Sequence, residues 1–288
     1  MNRDGQPRKW GITLLPRHLV ALSLLLTVGC HWPGKPNPDE RPVPPEFVLE
    51  FDALFKRNCA GCHGPDGTLG PAPPLHDPLF RAIVPEKELK AVISKGRRSA
   101  SGTDRDPRTP MPAFAREQGG TLSPEQIQVL VYEIKGIPYW VGKGEVVRAD
   151  KGTAPPSGRK VEHRSPAWKI PPAPPKDTPP YLASKTGDSK RGARVFGNAC
   201  AMCHGKAGTG GQVAGVELTI NDTAFLALVS DKALRRIVIT GRPDLGMPNY
   251  AEKGEARMDD FKPLTAEEIA DLGAYLASWR KGTAPGGK

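Results

Sequence analysis

The chain has 288 residues. Its 41 basic and 31 acidic side chains give a formal net charge of +10, and aromatic residues make up only 6% of it. Most of the excess positive charge lies outside two nearly neutral segments. Residues 45–137 hold 12 basic and 12 acidic side chains, and residues 187–281 hold 13 basic and 12 acidic ones. Proteins that bind nucleic acid concentrate positive charge on a folded domain. The near neutrality of both segments therefore argues against a nucleic-acid partner.

Residues 1–30 have the pattern of an export signal. Basic residues precede an apolar stretch from Leu19 to Val28 that is short for a membrane span. The stretch ends in Leu26-Thr-Val-Gly-Cys30, which resembles a bacterial lipobox and implies cleavage and lipidation at Cys30. Residues 31–44 are then a tether, and we expect a membrane-anchored lipoprotein on the periplasmic face of the bacterial cell envelope. A retained membrane helix and a soluble secreted form remain alternatives.

Two pentapeptides of the form Cys-x-x-Cys-His follow, Cys59-Ala-Gly-Cys62-His63 and Cys200-Ala-Met-Cys203-His204. Two thiols one helical turn apart suit addition to the two vinyl groups of a haem, and the adjacent imidazole then reaches the iron. Zinc sites, iron–sulfur clusters and redox disulfides also use cysteine pairs, but none of them needs a histidine directly after both pairs. The motifs therefore predict two covalently bound haem c groups.

Each predicted haem needs a sixth iron ligand, and methionine is the usual one in electron-carrying cytochromes c. Met111 lies 48 residues after His63, and Met247 lies 43 residues after His204. Both stand in a Met-Pro-x-aromatic context, which favours them as the ligands. The alternatives are His76, His163 and Met258.

An amphipathic helix is predicted at the end of both near-neutral segments. Ser123-Pro-Glu-Gln126 and Thr265-Ala-Glu-Glu268 have the form of capping boxes. Apolar residues follow each box at helical spacing, namely Ile127, Leu130, Val131 and Ile134 in the first and Ile269, Leu272, Tyr275, Leu276 and Trp279 in the second.

With these features, each segment resembles a class I cytochrome c domain, in which a first helix leads into the attachment motif and the last helix packs across it. Gly192 and Phe196 stand where that family has a small and an aromatic residue, whereas the first copy has Phe51 and Phe55. The resemblance implies an all-α fold with no sheet. It places two tandem domains at 45–137 and 187–281, followed by a short tail at 282–288.

The same resemblance implies a carbonyl that accepts the ring N–H of the iron-binding histidine, a contact that orients the imidazole. In the first copy the candidate is Pro74. The corresponding loop of the second copy has no proline, and Ala214 or Gly215 is expected to supply the carbonyl there.

Residues 138–186 separate the two domains and contain ten prolines among 49 residues, a composition typical of a linker. A linker of this length does not by itself fix the distance between the domains. Its aromatic residues are candidates for holding parts of it against a domain, namely Tyr139, Trp140, Trp168 and Tyr181.

The expected function is electron transfer by a membrane-tethered dihaem cytochrome c in a bacterial respiratory chain. The arrangement resembles cytochrome subunits that serve a quinol-oxidising complex or a haem-copper oxidase, so the expected partners are such redox proteins. A ring of arginines before Met111 is a candidate docking surface for them, comprising Arg97, Arg98, Arg105 and Arg108. The alternative function is a dihaem redox enzyme of the peroxidase or thiosulfate-oxidising type, which needs an open or differently ligated iron.

Overall fold

The computed structural model describes residues 43–68, 72–97, 111–149, 157–161, 168–210, 212–213, 216–217, 219–252 and 261–280. Several residues singled out above lie outside these ranges, namely Cys30, Arg98, Arg105, Arg108, His163, Ala214, Gly215 and Met258. Within the described ranges, none of the helices combines the length and the apolar character needed to cross a bilayer.

Domain one, residues 45–137, is helical. Its helices are α1 (Phe51–Asn58), α2 (Ala60–His63), α3 (Pro78–Ile83), α4 (Glu86–Lys95) and α5 (Pro124–Lys135), with short 3-10 turns at Pro45–Phe47 and Arg116–Gln118. The four longer helices contribute buried residues to one core, among them Phe55, Phe80, Ile93 and Leu130.

The linker contains a small antiparallel sheet, so the expected all-α fold is only approximate for the chain. Strand β1 (Tyr139–Gly142) pairs with β2 (Glu145–Arg148) and with β3 (Arg159–Val161), in the order β2-β1-β3. The physical reason is local: aromatic and β-branched residues flank a two-residue turn whose second residue, Gly144, has φ +79°. The high proline content of the linker as a whole obscured this hairpin signal.

Domain two, residues 187–281, repeats the helical order of domain one. Its helices are α6 (Ser189–Ala199), α7 (Ala201–His204), α8 (Thr223–Leu228), α9 (Asp231–Thr240) and α10 (Ala266–Ser278), with a 3-10 turn at Pro243–Leu245. A hairpin of two-residue strands, β4 (Gln212–Val213) and β5 (Val216–Glu217), lies in the loop after α7. In their described residues, the two domains are thus helical apart from this hairpin.

Both predicted capping boxes are confirmed. The Ser123 hydroxyl accepts from the backbone N–H of Gln126 at the start of α5, and the Thr265 hydroxyl accepts from that of Glu268 at the start of α10. Helix α5 ends at Gly136, whose φ of +69° closes the last turn. The predicted apolar stripes of α5 and α10 face the two cores.

Domain two brings its first and last helices into backbone contact. A Cβ added to Gly192 of α6 would lie 2.0 Å from the carbonyl oxygen of Asp271 in α10, so only glycine allows this approach. Next to the crossing, the Asp271 carboxylate accepts two hydrogen bonds from Arg191, of 2.7 and 2.9 Å, and one from the backbone N–H of Asp188. The Arg191 guanidinium lowers the pKa of Asp271.

In domain one the crossing of the first and last helices is formed by different residues. Phe51 occupies the place of Gly192, and its ring is buried against the indole of Trp168, with centroids 5.3 Å apart. Trp168 also contacts Phe55 edge-on and lies over Gly67. In domain two, Trp279 at the end of α10 makes the matching contacts with Phe196 and Gly208. In domain one this tryptophan therefore comes from the linker. In domain two the corresponding tryptophan lies at the end of the last helix of the domain itself.

The two domains contact each other directly. Leu79 and Ile83 of α3 pack against the core of domain two, and Lys232 of α9 forms an ion pair of 2.6 Å with Glu88 of α4. The linker is held at the same boundary, because Arg235 of α9 donates to the carbonyl of Pro180 at 2.9 and 3.1 Å. The linker therefore does not leave the two domains independent.

We expect Asp271→Asn to lower the free energy of unfolding of domain two by about 1–3 kcal/mol, because a buried acceptor loses its charge-assisted hydrogen bonds to Arg191. Denaturant titration of the full chain measures the change. Glu267→Gln is the matched control: it removes an exposed carboxylate 3.7 Å from the same arginine. Loss of that exposed contact is expected to change stability little. Equal effects of the two variants would contradict the assignment.

The stability that depends on Asp271 should vary with pH in a defined direction. Its pKa is lower in the folded protein than the ordinary value of about 3.9, so the stabilisation is complete above that pH and is lost as the pH falls through the lowered folded-state pKa. The difference in stability between the wild type and Asp271→Asn should therefore shrink only in strong acid.

Candidate haem sites

Both attachment motifs form the same short helical turn at the end of the first helix of their domain. In domain one the backbone N–H groups of Cys62 and His63 donate to the carbonyl of Cys59, at 3.1 and 3.0 Å. In domain two Cys203 and His204 donate to Cys200 at 3.2 and 3.0 Å. Each turn therefore holds two sulfurs one turn apart with an imidazole beside them, as attachment of a haem requires.

None of the four cysteines of these turns is part of a disulfide. Each pair belongs to its own domain, and in the described part of the chain no group of three or more His, Cys, Asp or Glu residues is arranged to hold a metal ion. This arrangement argues against a single four-cysteine zinc site made from both pairs.

The ring of His63 is oriented by the backbone of domain one. Its Nδ1 lies 3.2 Å from the carbonyl oxygen of Pro73, so Nδ1–H donates and Nε2 keeps its lone pair for an iron. The prediction of Pro74 is wrong by one residue. The Pro74 carbonyl instead accepts a hydrogen bond from Arg236 of domain two. Sequence spacing alone does not distinguish two neighbouring proline carbonyls.

His63 is in the neutral form that binds a metal. Burial lowers its pKa to about 4, the cations Arg236 and Arg97 act in the same direction, and the hydrogen bond to Pro73 opposes them. Burial raises the pKa of the neighbouring Cys59 thiol to about 12, and Cys62 adds to the effect. The surroundings of the site therefore disfavour charge on either group.

The loop after His204 follows the same course over its first residues. Gly205 and Gly208 have φ values of +70° and +69°, matching +79° at both Gly64 and Gly67 in domain one. Ile220 then donates to the carbonyl of Gly208 as Leu75 donates to that of Gly67. The second loop is longer because it includes the β4–β5 hairpin. Ala214 and Gly215, the predicted carbonyl acceptors for His204, lie outside the described residues.

Met111 and Met247 occupy equivalent positions in the two domains. Gly96 and Gly241 directly follow helices α4 and α9 as their C-caps. The next residue in each case, Arg97 or Arg242, forms a backbone bridge with Met111 or Met247. The Arg97 and Arg242 N–H groups donate to the two methionine carbonyls at 2.9 and 3.0 Å. Both helix-ending glycines are required: an added Cβ would lie 2.4 Å from the Met111 oxygen at Gly96 and 2.5 Å from the Met247 oxygen at Gly241.

The aromatic residue after each Met-Pro sequence ties the methionine loop to the last helix. The carbonyl of Phe114 accepts from the N–H of Leu122 at 2.8 Å, and that of Tyr250 accepts from Leu264 at 3.0 Å. Both leucines stand directly before the capping residue of the last helix. The shared Met-Pro-x-aromatic context therefore reflects one structural unit, and it places Met111 and Met247 as counterparts. Of the alternative ligands, the described His76 packs edge-on to Trp168, with ring centroids 6.4 Å apart.

The sequence patterns did not identify the two Gly-Arg pairs that hold these methionine loops in place. The pairs Gly96-Arg97 and Gly241-Arg242 are visible in the sequence, but Met111 follows its arginine by 14 residues and Met247 follows by five. The different loop lengths hide the common geometry. Arg97 also donates to the hydroxyl of Tyr181 at 3.3 Å, so this member of the predicted arginine ring contacts the linker.

Two family models match the chain. The model described as cytochrome c oxidase, cbb3-type, subunit III matches residues 187–276, and the model described as cytochrome c matches residues 52–135. No curated protein sequence matches the chain.

Solved structures show weak similarity. The reducing HAO-like protein complex of Kuenenia stuttgartiensis is 17% identical over 83% of this chain and 100% of that chain, with a TM-score of 0.40. The thiosulfate dehydrogenase of Marichromatium purpuratum is 16% identical over 84% of this chain and 48% of that chain, with a TM-score of 0.26. The dihydro-haem d1 dehydrogenase NirN is 18% identical over 40% and 30%, with a TM-score of 0.23. These values support no argument about mechanism.

Together the two family models cover more than half of the chain, and each matched segment contains one attachment turn and one methionine loop. The chain is a class I cytochrome c with two tandem domains. Cytochrome c domains hold haem c covalently and transfer electrons. The residues of both sites fit such a group, since each domain offers two cysteines outside any disulfide, a histidine and a methionine in the expected order.

We expect Gly96→Ala to displace the Met111 loop, because the new Cβ collides with the Met111 carbonyl and the residue has φ +71°. Gly119→Ala is the matched control, since that glycine has φ +82° but open space around it. The control should lower the stability by about 1–2 kcal/mol through backbone conformation alone. Gly96→Ala should lower the stability by clearly more than the control. In the haem-loaded protein only Gly96→Ala should weaken the near-infrared absorption from sulfur bound to iron. Loss of that absorption in the control would contradict the role given to Gly96.

Proposed function

We propose that both domains hold a haem c and that the chain relays single electrons between them and partner proteins. Cys59 and Cys62 would bind the first haem and Cys200 and Cys203 the second. A haem held there supplies a one-electron couple between ferric and ferrous iron. The observation that carries the proposal is the equivalent placement of Met111 and Met247, each of which forms a backbone bridge to the arginine after the helix-ending glycine of its own domain.

The axial residues favour electron transfer over chemistry on a substrate. His63 with Met111, and His204 with Met247, would saturate each iron with two protein ligands, which leaves no position for a substrate. A dihaem enzyme of the peroxidase or thiosulfate-oxidising type needs an open or differently ligated iron. The identity of the sixth ligand of each iron therefore distinguishes an electron carrier from a dihaem enzyme.

Changing Met111 to Ala should remove about half of the sulfur-to-iron absorption, because one of two Met–iron bonds is lost. It should also open the first haem alone to carbon monoxide. Mass spectrometry of the wild type should first show two attached haems that survive acid and organic extraction. Met247→Ala should have the matching effect on the second haem.

Met202 provides the control, since its side chain lies inside the second attachment turn and is 67% exposed. Met202→Ala should leave both absorption and carbon monoxide binding unchanged. A wild-type protein that already binds carbon monoxide at one haem would favour the enzyme alternative. If Met258→Ala rather than Met247→Ala removes the second half of the band, the assignment of Met247 is wrong.

The proposed setting is the periplasmic face of a bacterial membrane, where a lipid on Cys30 anchors the chain through the tether at residues 31–44. The proposed partners are redox proteins of the respiratory chain, namely a quinol-oxidising complex or a haem-copper oxidase. The match of domain two to a family described as a cbb3-type oxidase subunit supports the second of these. The near-neutral charge of both domains supports a protein partner over a nucleic acid.

Replacing Cys30 by Ser should release the haem protein from membranes into the soluble fraction of the cell envelope, because the residue that would carry the lipid is gone. Cell fractionation followed by haem staining measures the distribution. Cys30→Ser that remains bound to membranes after a salt wash would indicate an uncleaved helix or a tightly bound partner instead.

A further inference from the structure

Helix α9 of domain two places a buried cation against domain one. The Arg236 side chain is 6% exposed, and its guanidinium stacks on the ring of Phe80 in α3, with Cζ 3.5 Å from the ring centroid. The same guanidinium donates to the Pro74 carbonyl. Pro74 directly follows Pro73, whose carbonyl accepts from the imidazole of His63. A residue of the second domain thus supports the loop that orients the histidine of the first.

The charge of Arg236 lacks a close negative partner. Asp77 and Tyr181 are the nearby groups that favour the charged form, while Arg97 and Arg242 oppose it. Among the residues that the structure describes, no carboxylate lies within ion-pair distance of Arg236. Burial, with Arg97 and Arg242 adding to it, lowers the pKa of Arg236 to about 9, so it is still a cation at neutral pH. A buried cation without a counter-charge is electrostatically unfavourable.

The Arg236 cation lies beside the loop of the first haem site. Its guanidinium donates to the carbonyl of Pro74, the residue next to the Pro73 carbonyl that accepts from His63. Arg235 instead donates to the Pro180 carbonyl of the linker. The two neighbouring arginines of α9 therefore donate to carbonyls of different segments, one in domain one and one in the linker.

We propose that Arg236 of domain two is a positioning residue for the first haem site, which seats the Pro73–Pro74 loop and raises the reduction potential of the haem in domain one. The inference rests on the proposed function. Reduction from ferric to ferrous iron removes one positive charge from the haem, and a nearby buried cation favours the state with less positive charge. The potential of the first haem then depends on the docking of the second domain.

Redox titration of the full chain tests the proposal with Arg236→Gln, Arg236→Lys and the control Arg235→Gln. Haems are assigned with Met111→His and Met247→His, because histidine in place of methionine lowers the potential of its own haem. Arg236→Gln should lower the potential of the first haem and leave the second nearly unchanged. Arg236→Lys keeps the charge and should retain most of the wild-type potential. Arg235→Gln removes a neighbouring cation and should leave the first haem unchanged.

Three results would overturn the inference while leaving the carrier function intact: an unchanged first haem in Arg236→Gln, an equal shift in Arg236→Lys and Arg236→Gln, or an equal shift in Arg235→Gln. The second of these results would assign Arg236 to packing rather than to charge. Absence of reversible haem potentials in the wild type would overturn the proposed function and the inference with it.

Discussion

The crossing of the first and last helices is the contact on which each site depends. The attachment turn lies at the end of the first helix, and the methionine loop leads into the start of the last helix, so the crossing brings the two halves of a site together. In domain two Gly192 permits backbone contact, and the bonds from Arg191 to Asp271 hold it. In domain one Phe51 stands in place of that glycine, and its ring packs against the indole of Trp168. The same site is thus supported in two ways.

Much of this organisation could be predicted from the sequence, because it is local. The attachment turns, both capping boxes and the apolar stripes involve residues close together in the chain. The paired context of Met111 and Met247 was also visible, although only the backbone bridges to Arg97 and Arg242 explain it.

Features that depend on distant residues could not be predicted. The role of Trp168 requires contact with a helix more than a hundred residues earlier, and the bond from Arg236 to Pro74 spans 162 residues. The carbonyl of Pro74 accepts that bond from the other domain, while the neighbouring carbonyl of Pro73 accepts from His63. The linker sheet was missed for a different reason, because composition averaged over 49 residues concealed a short hairpin.

Three buried arginines join the separate segments, and each donates to a backbone carbonyl. Arg81 of domain one donates to Lys169 of the linker, Arg235 to Pro180, and Arg236 to Pro74. Proline-rich segments lack many of the N–H groups that would pair their chains in a sheet, while their carbonyls remain available. Long side chains with several donors suit these carbonyls, so proline and arginine together give the linker fixed positions on both domains.

The dependence of domain one on Trp168 also bears on the order of folding during synthesis. Residues 45–137 emerge before the linker, and until Trp168 follows, the aromatic face of α1 has no indole to cover it. Domain two carries its own counterpart, Trp279, at the end of its last helix. The first domain made is therefore completed only after part of the linker has emerged, and a chain interrupted at residue 137 would lack the indole that packs against Phe51 and Phe55.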